Sequence, residues 1–65
     1  MSIYNRKAML DNIENYIVNS RYREVLRLRY YEGLPYEAIG EITHYSTQHV
    51  KYICKTHKDY LFGLL

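Results

Sequence analysis

The feature that most limits the fold is the segment 36–55, YEAIGEITHYSTQHVKYICK. It holds two short stretches of helical periodicity with only a few residues between them. Tyr36, Ile39, Gly40 and Thr43 share one helical face in the first stretch, and Val50 and Ile53, continued by His57 just beyond the segment, share one in the second. Two helices joined this tightly must approach closely, which needs a position without a Cβ, and Gly40 supplies it. The turn needs a residue that tolerates positive φ, and His44 is one of the better non-glycine choices. Tyr45 then plugs the core, and Ser46 caps the second helix. Pro35 suits the first turn of the first helix, where its missing N–H costs nothing. These positions together predict a helix-turn-helix over about residues 35–60.

The rest of the chain supplies two more helical patterns, so the expected fold is all-α: four helices in one domain over residues 1–65, with the helix-turn-helix at its C-terminal end. Ile3, Leu10, Ile13 and Ile17 form one face of a first helix over about residues 3–19, with Met9 and Tyr16 flanking it. Asn19 and Ser20 stop that helix and cap the next. The second helix is expected over about residues 21–32, with Tyr22, Val25 and Leu26 inward and Leu28 and Tyr30 at the edges. Gly33 ends it by taking the left-handed conformation. Arg29 projects from the apolar face and needs a partner, for which Glu32, Glu37 and Glu41 are the candidates. The tail, Leu61, Phe62, Leu64 and Leu65, admits two readings. It closes the core against Ile3 and Leu10, or it forms a homodimer interface.

Composition supports a folded core: 48% of the residues are apolar, and one proline and three glycines interrupt them. Nine tyrosines suit a small core with partly wet walls. No run approaches the length of a membrane span, and Met1 to Lys7 has no apolar run for a signal peptide. With Cys54 alone, no internal disulfide can form, and a cytoplasmic location in a bacterial or phage-infected cell is expected. The net charge is only +2, but its distribution is uneven. From Ile42 to Lys58 there is no acid, while Lys51, Lys55, Lys58, His44, His49 and His57 all lie there. Arg21, Arg23, Arg27 and Arg29 form an earlier cluster. Such a field attracts phosphate; the competing reading is a solvated face.

Several pieces of the sequence resemble region four of bacterial sigma factors: Leu28-Arg29-Tyr30, Glu32-Gly33-Leu34, Tyr36 to Gly40, and Ser46 with Val50-Lys51. The resemblance covers about residues 21–58. It is shared more loosely with response-regulator output domains. It implies promoter reading and, as a second activity, contact with RNA polymerase at the β-subunit flap. Three departures stand out. Ala38 replaces the glutamate before isoleucine and so removes one partner for Arg29. Thr43-His44 replaces a leucine-glycine turn. The chain is also shorter than a factor that melts promoter DNA, so a stand-alone protein of phage or mobile-element type is expected.

Geometry then names the candidate contacts to double-stranded DNA. With Val50 and Ile53 inward, Gln48, Lys51 and Thr47 face base edges. Gln48 suits adenine, Lys51 guanine, and Thr47 a thymine methyl. Ser46, His49, Tyr52 and Lys55 are placed for phosphates, and Arg21, Arg23 and Arg27 for the flanking backbone. No cofactor or metal is expected. Cys54 and His57 have helical spacing for two ligands, but a structural zinc site needs four. No phosphate loop or nucleophile motif suggests an enzyme. The rival reading is an interaction module of the same fold that binds polymerase or another protein. A third is the DNA-recognition part of a phage packaging or recombination protein.

Overall fold

The computed structural model describes residues 6–63 and contains four helices: α1 (Arg6–Tyr16), α2 (Ser20–Tyr30), α3 (Tyr36–Thr43) and α4 (Thr47–Gly63). The expected start of α1 near Ile3, and the placements of Ile3, Leu64 and Leu65, lie outside the described residues. The all-α architecture matches expectation. Helices α2 and α4 each touch all the others, while α1 and α3 flank them without meeting. None of the four is long and apolar enough to cross a membrane.

The connections follow from local chemistry. Helix α1 ends at Tyr16, three residues earlier than expected, because the chain must straighten to place Asn19 as the cap of α2. Asn19 is extended (φ −72, ψ 117), and its side-chain oxygen accepts from the N–H groups of Arg21 and Tyr22 at 2.9 and 3.1 Å. At the far end of α2 the N–H groups of Tyr31 and Glu32 share the Arg27 carbonyl, and Gly33 at φ +79 reverses the chain. Arg6 of α1 donates to the Tyr31 carbonyl and lies 5.5 Å from its ring, so a cation sits at the negative end of the α2 dipole. Pro35 stands one residue before α3, where its carbonyl accepts from Ile39 N–H at 3.1 Å.

Every helix contributes to one core: Met9 and Ile13, with Ile17 just past the end of α1; Val25, Leu26 and Leu28; Ile39; and Val50, Ile53, Cys54 and Leu61. Two details depart from the pattern read in the sequence. Met9 is fully buried and Leu10 only half-buried, so the inner face of α1 runs through Met9 and Ile13, with Leu10 at its edge. Leu28, placed at an edge, is buried as well. Tyr22, Tyr30, Leu34, Tyr36, Tyr45 and Phe62 wall the core as half-buried residues. The described part of the tail belongs to the core. Leu61 is fully buried, and Phe62 packs edge-on against Tyr30 at 5.7 Å.

Arg29 is the clearest correction. Among the described residues it forms no ion pair with Glu32, Glu37 or Glu41. Its Nη1 donates to the Leu34 carbonyl at 3.0 Å, and its guanidinium lies 4.1 Å from the Tyr36 ring centre. With Ala38 in the sequence, a carbonyl and an aromatic face take the role that a carboxylate was expected to fill. Glu32 instead faces Arg27 at 3.8 Å.

Candidate nucleic-acid interface

The geometry of the interface is set where α3 meets α4. Gly40 is buried, and a Cβ built on it would lie 2.7 Å from the Tyr45 carbonyl oxygen. No side chain fits there without moving backbone, so glycine permits the close crossing. His44 ends α3 in the left-handed conformation (φ 65, ψ 25), the one non-glycine residue at positive φ among those described. Thr43, buried beside it, satisfies its hydroxyl by donating to the Ile39 carbonyl at 2.7 Å. Ser46 then caps α4: its Oγ accepts from His49 N–H at 3.1 Å, and its carbonyl from Val50 N–H at 3.0 Å. The expected skeleton of Gly40, His44, Tyr45, Ser46, Val50 and Ile53 is therefore present, residue by residue.

Burial fixes the phase of α4. Val50, Ile53, Cys54 and Leu61 face inward. Successive residues turn by about 100°, so Gln48, Tyr52, Lys55 and Asp59 form a line on the opposite side. All four are exposed, Tyr52 at 63%. Lys51 flanks this line toward α3, its Nζ 6.0 Å from the Tyr36 ring centre. That exposed cation–π contact is worth only about 0.5–1 kcal/mol, less than a good base contact, so Lys51 can leave it for a ligand. Thr47 is half-buried at the start of the helix. The structure thus brings Ser46, Thr47, Gln48, His49, Lys51, Tyr52 and Lys55 onto one capped helical end. Asp59 marks where the acid-free surface stops.

The arginines of α2 do not join this surface as a group. Arg21 and Arg23 point about 160° apart around α2, as residues two apart on a helix must. Arg21 reaches the α3–α4 turn, where its Nη2 donates to the Thr43 carbonyl and its guanidinium lies 4.6 Å from the Tyr45 ring centre. Arg23 and Arg27 instead line a shallow depression with Glu14, Ser20, Arg21 and Glu24. There three arginines stand beside two glutamates, and Arg27 also faces Glu32.

One feature of the site went unread in the sequence. Tyr45, His49 and Tyr52 stack along one flank of α4, with ring centres 4.6 Å apart for the first pair and 6.3 Å for the second. Their spacing of four and three was visible as a helical row. Tyr45, however, sits in the turn, and only the tertiary path brings its ring over α4. Deeper in the fold, His57 Nδ1 donates to the Ile53 carbonyl at 2.8 Å, and its ring meets Tyr22 edge-on at 5.6 Å. Cys54 is buried, and its carbonyl accepts from the Tyr30 hydroxyl at 3.4 Å.

No match was found among curated proteins or among solved structures. The family model described as "Sigma-70, region 4" matches residues 18–56, which run from the residue before the α2 cap through the exposed surface of α4. The match covers more than half of the chain and coincides with the part that carries the caps, the close crossing and the turn. The chain belongs to the Sigma-70, region 4 family of helix-turn-helix DNA-binding domains.

Proposed function

We propose that the chain is a non-catalytic transcription regulator that recognises a specific double-stranded DNA sequence by laying the N-terminal half of α4 in the major groove. One observation carries this reading. The exposed face of α4 from Thr47 to Lys58 bears lysines, a glutamine and hydroxyls with no acid, and it projects from a helix start whose angle is fixed by backbone packing. Gln48 offers a donor and an acceptor to adenine, Lys51 donates to guanine, and the Thr47 methyl group faces thymine. Ser46, His49, Tyr52 and Lys55 lie where the phosphates on either side of the groove would pass, with the first N–H groups of α4 adding to the positive end. Arg23 and Arg27 lie apart from the α4 face, in the depression they share with Glu14 and Glu24, and would reach only the flanking backbone.

The test is selection of duplexes from a random pool, followed by affinity measured across salt concentrations. Phosphate contacts should make log affinity fall linearly with log salt. Gln48→Ala and Lys51→Ala should each cost about 1–3 kcal/mol on the selected site and relax the preference at one position. If no selected duplex outcompetes random DNA, the reading fails.

A second reading is docking on RNA polymerase or another protein. It draws on Tyr16, Val18 and Tyr60, exposed at 52%, 93% and 51%, with the two tyrosines in edge-on contact at 6.4 Å. Tyr60 lies about 20 Å along α4 from Thr47, so this patch would stay free while the start of α4 held DNA. The DNA surface would equally serve a packaging or recombination protein, which the identity of the selected site would reveal.

A further inference from the structure

The α3–α4 turn has an unusual problem. Helix α3 has eight residues, so half of its carbonyls lie in its last turn and lack partners within the helix. It ends on His44, a residue with a Cβ held in the left-handed conformation. Within the turn, Ser46 serves the other helix, its Oγ accepting from His49 N–H at the start of α4.

The compensation comes from α2. The Arg21 guanidinium takes the carbonyl of Thr43 on one side of His44 and covers the ring of Tyr45 on the other. A single planar cation therefore grips both neighbours of the strained residue. The grip continues along α4, since Tyr45 stacks on His49, whose N–H closes the Ser46 cap, and His49 stacks on Tyr52. Arginine suits this double task because its fork donates in plane while its face stacks; lysine, a mobile point charge, does one or the other.

We propose that Arg21 is a positioning residue for the recognition helix. It holds the turn in the conformation from which α4 leaves the Gly40 crossing, and thereby the register in which Gln48 and Lys51 meet the bases. It is not one of the flanking phosphate contacts. This assignment rests on the DNA-binding reading of α4, but the brace itself is a property of the free protein.

The experiment compares Arg21→Gln and Arg21→Lys with the unchanged protein, each first shown to be folded by its melting curve. In the free protein, amide hydrogen exchange across residues 44–50 should rise about tenfold or more in both variants, as expected for loss of a hydrogen bond from a charged donor, while α1 amides keep their protection. On the selected duplex, specific affinity should fall by a similar factor in both, with binding to random DNA nearly unchanged. The slope of log affinity against log salt should stay the same. A phosphate contact would behave differently: the slope would drop by about one in Arg21→Gln, specific and random DNA would weaken together, and lysine would restore both. Tyr45→Leu provides a second route, because removing the other half of the grip should reproduce the Arg21→Gln exchange pattern, and combining the two should add little. Unchanged exchange at the turn, or rescue by lysine with an altered slope, overturns the proposal. If the unchanged protein selects no duplex, the DNA reading fails, while the exchange data still decide whether Arg21 braces the turn.

Discussion

Replacing Gly40 by alanine sets two effects of opposite sign against each other. An alanine in a helix interior is worth up to about 1 kcal/mol over glycine, so propensity alone predicts a more stable protein. The new Cβ, however, would stand 2.7 Å from the Tyr45 carbonyl oxygen, where ordinary contact begins at 3.4 Å. The atom in the way is backbone, held in a turn between the Arg21 stack and the Ser46 cap, and it cannot rotate aside as a side chain would. Forcing an extra carbon into such a site costs about 1–3 kcal/mol, and the rigid neighbour places the cost in the upper part of that range. The net expectation is a loss of about 1–2 kcal/mol, or about 4–16 °C in melting temperature for a domain of this size. Thermal and urea melts followed by far-UV circular dichroism measure it. Gly63→Ala is the control, since nothing lies within 4 Å of its Cβ position, and it should be neutral or slightly stabilising. A Gly40→Ala protein as stable as the original would refute the account of the crossing.

Three further outcomes follow from the same geometry. His44→Gly should raise stability by a few tenths to about 1 kcal/mol, because relief of left-handed strain exceeds the added freedom of the unfolded chain; a lower melting temperature would contradict this. Burial pushes the Cys54 thiol from its ordinary 9.0 up to about 11, against the opposing pull of the Arg29 charge. Folded and unfolded states both hold the thiol proton below pH 9, so its stabilising contribution is intact there and is lost as pH rises toward 11. Urea stability of the protein relative to Cys54→Val should therefore decline across that window, and a flat difference would count against the buried thiol. With Leu61 and Phe62 drawn into the core, sedimentation should show a monomer at micromolar concentrations; a concentration-dependent dimer would return the tail to an interface role.

Much of the fold was legible because its signals are local. Asn19 and Ser46 offer short side-chain oxygens to helix starts, Gly33 and His44 take positive φ where helices end, and Val50 and Ile53 mark one face of α4. Each of these depends on a residue and its immediate neighbours along the chain. The exposed row of Gln48, Lys51, Tyr52 and Lys55 was legible for the same reason, since a helix of known phase displays whatever lies opposite its buried residues.

Other assignments needed distances between segments. Met9 and Leu10 are both apolar and only about 100° apart around α1, so sequence could not say which enters the core; the approach of α2 and α4 decided for Met9. The arginines are the sharper case. Arg6, Arg21 and Arg29 each find a carbonyl oxygen and an aromatic ring in other parts of the chain, two of these carbonyls at or beside a helix end. A long cationic side chain can reach many partners, and the nearest is chosen by where the helices cross. The sequence by itself thus determined four helices, their caps and the face that α4 presents. The tertiary structure decided which cations remain free for a ligand and which hold the turn, because that choice depends on contacts between residues far apart in the chain.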